Sequence, residues 1–159
     1  MDVEPGCVAV DLARARKLPL TARKQLKQAS GKPLGGTLTL FERGALPAEL
    51  LEELESRAAV HTVFRHGATL LVALPEVRVE LDAARREELD SMAREGPIRS
   101  EIEEMGGGSV VLRPLSGRGA DALDLANAVH ERLHPELAQA RFLRMIPSPR
   151  RRLAERRAK

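Results

Sequence analysis

Three glycine turns cut this chain into like segments, and that repeat limits the possible folds more than any other feature. Gly35-Gly36 leads into Thr37-Leu38-Thr39-Leu40, Gly67 into Ala68-Thr69-Leu70-Leu71-Val72, and Gly107-Gly108 into Ser109-Val110-Val111-Leu112. Each apolar strand is followed by helix-compatible sequence, over 47–59, 81–95 and 120–134, and then by another apolar strand. Repeated β-α-β units of this length assemble a sheet with helices over one face, so the pattern predicts an α+β protein. Such a scaffold carries no chemistry of its own, and function has to be sought on its surfaces.

Residues 7–12 alternate and read as a strand. Thr21 is placed to cap a short helix over 21–29, which Ser30-Gly31-Lys32-Pro33 breaks, and 13–34 is read as a basic arm. A strand at 37–42 precedes a helix that begins at Pro47, where Leu50, Leu51 and Leu54 form the apolar stripe and Glu49, Glu52, Glu53 and Glu55 face out. A strand at 60–65 follows. His66-Gly67 reads as a tight turn into 69–74, making those two strands antiparallel.

Val77 and Val79 continue an extended segment after Pro75, and Asp82 is positioned to cap a helix that buries Ala83, Leu89 and Met92. Gly96-Pro97 stops it. Ile98 and Ile102 belong to a strand ending at Met105, and Gly106-Gly107-Gly108 reads as a hairpin loop, since no helix starts soon enough after it to make a phosphate cradle. The last helix ends at Pro135 and the last strand runs over 140–146. From 67 to 146 the order is β-α-β-β-α-β, the split arrangement of ferredoxin-like domains with helices on one face, and an additional N-terminal β-α-β unit extends it. The expected organisation is a strand plus basic arm over 1–34, a repeat domain over 35–146 and a basic Pro/Arg tail over 147–159.

At 159 residues this is one compact domain, with room for a modest extension. Its core is aliphatic, because there is no Trp or Tyr and only Phe41, Phe64 and Phe142 supply rings. The same scarcity argues against base-stacking and sugar-stacking surfaces. The single Cys7 excludes an internal disulfide and a Cys-rich zinc site, and beside Val8 and Val10 it reads as a small buried strand residue. No apolar run approaches the ~20 residues of a membrane span, and Met1-Asp2-Val3-Glu4-Pro5 lacks the features of a signal peptide. A soluble cytoplasmic protein is expected.

The net charge of +3 conceals a sorting along the chain. Arg14, Arg16, Lys17, Arg23, Lys24, Lys27 and Lys32 lie between Leu12 and Phe41 with no acid among them. Residues 42–140 hold 11 basic and 19 acidic residues, and the stretch from Arg141 to Lys159 is basic again with Glu155 as its one acid. Basic ends admit nucleic-acid binding through phosphates. They equally admit an arm lying on the acidic helix faces.

His130-Glu131-Arg132-Leu133-His134 fits H-E-x-x-H, in which two histidines one helical turn apart hold zinc and the glutamate acts as base. Pro135 directly after the second histidine, Arg132 inside the motif and the missing third ligand favour instead the end of a helix whose core stripe is Leu125, Ala128, Val129 and Leu133. Asp121 and Asp124 read as acids that complement the start of the last helix, and Glu101, Glu103 and Glu104 as solvated strand residues. There is no G-x-S-x-G elbow. No catalytic set and no cofactor are expected.

The stretch Gly108-Ser109-Val110-Val111-Leu112-Arg113-Pro114, the helix from Ala120 to Glu131 and Ala138-Gln139-Ala140-Arg141-Phe142-Leu143 together resemble the N-terminal prodomains of bacterial subtilisin-like serine peptidases, over about 67–146. The resemblance implies a ferredoxin-like module that packs its sheet on the peptidase as folding chaperone and inhibitor. The residues after its last strand, here Ile146, Pro147, Ser148, Pro149 and Arg150, would then lie in the active-site cleft. Two prolines there make a poor substrate, since proline fixes φ and lacks an amide donor. With no peptidase domain before Lys159, the expectation is a non-catalytic protein-binding chain acting in trans on such a peptidase. A nucleic-acid-binding protein is the alternative, and a zinc peptidase through His130, Glu131 and His134 the second.

Overall fold

The first strand turns directly into helix because Asp11 accepts a hydrogen bond from the Ala13 amide, 2.9 Å away, and another from Thr37 Oγ1 at 2.8 Å. In the computed structural model, which describes residues 1–145, β1 (Asp2–Asp11) is followed by α1 (Leu12–Ala15), α2 (Leu20–Gln28), β2 (Lys32–Gly35), β3 (Leu38–Glu42), α3 (Ala48–Ser56) and β4 (Val60–His66). Then come β5 (Thr69–Glu80), α4 (Arg86–Glu95), β6 (Ser100–Gly106), β7 (Ser109–Pro114), α5 (Gly119–Leu133) and β8 (Leu137–Met145). The result is an α+β protein whose described residues form one antiparallel sheet of eight strands and five α-helices.

Segment 13–34, expected as an arm, is instead α1, α2 and β2. Ala15, Leu18 and Leu26 give it an apolar side buried against Val8, Val10, Phe41, Leu50 and Leu54, and that burial offsets the repulsion among its cations. The first half of the chain is therefore more than an added β-α-β. It runs strand, helices, two strands, helix, strand, the same order as the second half.

Strand order is β2-β3-β1-β4-β5-β7-β6, with β8 also on β5. Strands 69–74 and 77–79, read separately from sequence, form the single twelve-residue β5, which joins the halves. β8 follows one side of β5 along its length. On the other side β4 pairs with residues 69–72 and β7 with residues 77–80. The ladder to β8 shifts between Ala73 and Val77, around Pro75, which has no amide hydrogen to donate.

Alternation then divides the side chains among three cores. Val77, Val79, Val110, Leu112 and Ala140 point to α4 and α5, meeting Leu89, Ala122, Leu125, Val129 and Leu133. The first-half core under α1–α3 is its counterpart. The opposite face of the first half is covered as well: Ala9, Leu38 and Val63 join Val72, with Leu34, Leu40, Leu70 and Leu143 packed around them. Among the described residues nothing comparable covers the opposite face of the second half.

Candidate interaction surface

The residues of β5 to β8 that alternate with the core residues make this uncovered face. Val77-Arg78-Val79-Glu80 sends its valines to the helices and its charges outward, and Glu101-Ile102-Glu103 does the same on β6. Register places Arg78 opposite Val111 and Gln139, and Glu101 opposite Arg113. Arg78 donates to Glu80 at 2.8 Å, and Arg141 donates to Glu76 at 3.1 Å. Arg113 pairs with Glu103 and lies 3.5 Å from Glu76.

Over these strands lies a groove of about 630 Å³, lined among others by Glu76, Arg78, Met105, Ser109, Gln139 and Arg141. Its rim residue Met105 is 59% exposed. Cross-strand ion pairs at this exposure add little stability, because water screens them and ordering long side chains costs entropy.

Ile146, Pro147, Ser148, Pro149 and Arg150 lie outside the described residues. His130, Glu131 and His134 are exposed near the end of α5, but His134 has left the helix. It adopts a left-handed conformation (φ 45°, ψ 54°) as the helix cap, so the motif is not carried on one continuous helical face. Among the described residues no three of the His, Cys, Asp and Glu side chains group as a metal site. Asp121 is in the first turn of α5 and takes a hydrogen bond from Ser116 Oγ, while Asp124 is exposed one turn on. Glu103 and Glu104 are ion-paired, to Arg113 and Arg86. Cys7 packs at the edge of the third core, where burial, followed by the charge of Glu4, pushes its thiol up, away from thiolate chemistry.

Composition did not mark His61. It is 3% exposed on β4, and among the described residues its Nδ1 has no hydrogen-bond partner. Burial pushes its pKa below the ordinary 6.5; Asp11 pulls the other way and Arg14 adds to the lowering. As the pH falls below 6.5 the unfolded chain takes up the proton before the folded one does, so stability falls with pH by up to about 1.4 kcal/mol per unit from this group. His61→Leu should flatten urea-midpoint profiles between about pH 7 and 5. Parallel profiles for the two proteins would refute this.

No helix among the described residues is long and apolar enough to cross a membrane. Comparison of the chain with protein-family models, with curated proteins and with solved structures found no match.

Proposed function

We propose that the protein is a non-catalytic protein-binding module that acts in trans, as inhibitor or chaperone, on a subtilisin-like serine peptidase. The observation that carries this reading is the face of β6-β7-β5-β8, which nothing among the described residues covers, while α4 and α5 cover the other side. In the first half the corresponding face is filled by apolar side chains of the chain itself. A ferredoxin-like arrangement of each half fits the shared element order and strand order, with the second half as the module resembling a prodomain. Its last strand delivers the chain to Ile146-Pro147-Ser148-Pro149-Arg150, the segment that the resemblance sends into the peptidase cleft.

Mixing the full-length chain with subtilisin-like peptidases tests this. The expected result is a complex on gel filtration and suppressed hydrolysis of a peptide substrate. Arg78→Glu with Arg141→Glu on the exposed face should weaken inhibition about tenfold or more, roughly 1.4 kcal/mol, while leaving the fold intact. Undiminished hydrolysis with no complex would remove the proposal.

A further inference from the structure

Ion pairing is unevenly shared among the described arginines and lysines. Outside the N-terminal segment, Arg57, Arg65, Arg78, Arg85, Arg86, Arg113 and Arg141 have acidic partners within 4 Å, while Arg43, Arg94, Arg99, Arg118, Arg132 and Arg144 have none among the described residues. Within it, Arg14 alone is paired, to Asp11 at 3.7 Å. Arg16, Lys17, Arg23, Lys24, Lys27 and Lys32 are exposed, and among the described residues none forms an ion pair.

The absence of pairing is not for want of acids nearby. Helix α3, with Glu49, Glu52, Glu53 and Glu55, packs beside α2. Yet α2 buries Leu26 toward the core and turns Arg23, Lys24 and Lys27 outward, so the two helices share an apolar contact and keep their charges apart. Among the described residues no ion pair within 4 Å joins this segment to the acids of α3. Arg23 and Lys27 stand one helical turn apart on the same side, and Lys24 lies next to them.

We infer that α1, α2 and the start of β2 form a docking surface for the phosphate backbone of a double-stranded nucleic acid, separate from the sheet face proposed to bind protein. Unpaired, exposed cations on a folded support are the requirement for phosphate contact, since counterions are released without breaking internal ion pairs. The surface presents no Phe, Tyr or Trp, so the stacking on which single strands depend is missing. With no base-reading element, binding is independent of sequence. An anionic membrane fits less well, because α2 spends its apolar side on the core and has nothing comparable to insert between lipids.

The test is fluorescence anisotropy of a labelled random duplex of about two helical turns, titrated with the full-length protein between about 50 and 200 mM salt. With about six phosphates contacted, log K against log salt should fall with a slope of about −5.4, from about −0.9 per contact. The exposed triple change Arg23→Gln, Lys24→Gln, Lys27→Gln should bring the slope down by about 3 and leave the circular dichroism spectrum unchanged. The pair Arg16→Gln, Lys17→Gln should lower it by about 2. Changing Arg150, Arg151 and Arg152 to glutamine separates the tail: if that change abolishes binding and the helix changes do nothing, the inference fails. It fails equally if the duplex does not bind, or if vesicles with anionic lipid bind more tightly than the duplex. Peptidase inhibition is read separately and is expected to survive the α2 changes.

Discussion

Leu112→Ala should destabilise the protein by about 3 kcal/mol, within the 2–5 kcal/mol that emptied core leucines cost, and lower the melting temperature by about 6–12 °C. Leu112 has no exposed surface and lies on β7 beneath α4 and α5, so the lost methyl groups leave a cavity that close-packed neighbours fill only in part. Leu54→Ala, equally buried in the first-half core, should cost about the same. The two substitutions are expected to move one and the same unfolding transition. β5 is hydrogen-bonded to β4 of the first half and to β7 and β8 of the second, and the third core takes side chains from both halves. Far-ultraviolet circular dichroism in urea is the suitable probe, the chain having no Trp or Tyr. Two resolved transitions, with Leu54→Ala moving only one, would show that the halves fold independently.

Gly119→Val should cost about 2–3 kcal/mol. This glycine opens α5, and a Cβ there would be driven into the backbone carbonyl of Ala73 on β5. Helix propensity favours replacing glycine by about 1 kcal/mol at most, whereas a clash with backbone cannot be relieved by a rotamer change. The helix start must therefore lift off the sheet, and α5 supplies much of the second-half core. Gly44→Ala is the control, because nothing lies within 4 Å of a Cβ at that position. Its effect should stay within about 0.5 kcal/mol. Equal effects of the two changes in thermal melts would show that the close approach of α5 to β5 is not required.

Most elements were legible in the sequence, and the reasons are local. Pro47 stands at the start of α3 and His66-Gly67 makes the turn of an antiparallel hairpin, whereas the Asp82 carboxylate, which accepts from the Ala84 amide at 3.3 Å, caps a short 3-10 turn over 83–85 ahead of α4 and leaves Ala83 exposed. Each depends on residues within a few positions of one another. The segment 13–34 was not legible in this way. Its charge suggested an arm, while three apolar residues spread over Ala15, Leu18 and Leu26 were enough to fold it, given a sheet to fold against. The bare face was legible only in hindsight: Val-Arg-Val-Glu and Glu-Ile-Glu alternate plainly, but alternation shows that a strand has two faces and does not show whether the polar one is covered. His61 gave no signal, since nothing around it in sequence requires burial.

By itself the sequence determined the α+β class, the aliphatic core and the separation of charge along the chain, because composition, period and turn chemistry are properties of neighbours. Tertiary structure alone decided that β5 is shared between two halves, that the first half has both sheet faces filled, and that the cations of α1 and α2 form no ion pair, among the described residues, with the acids of α3. Those outcomes depend on which distant surfaces meet. Hydrogen-bond ladders and apolar burial settle that question between residues tens of positions apart, where local preference carries no information.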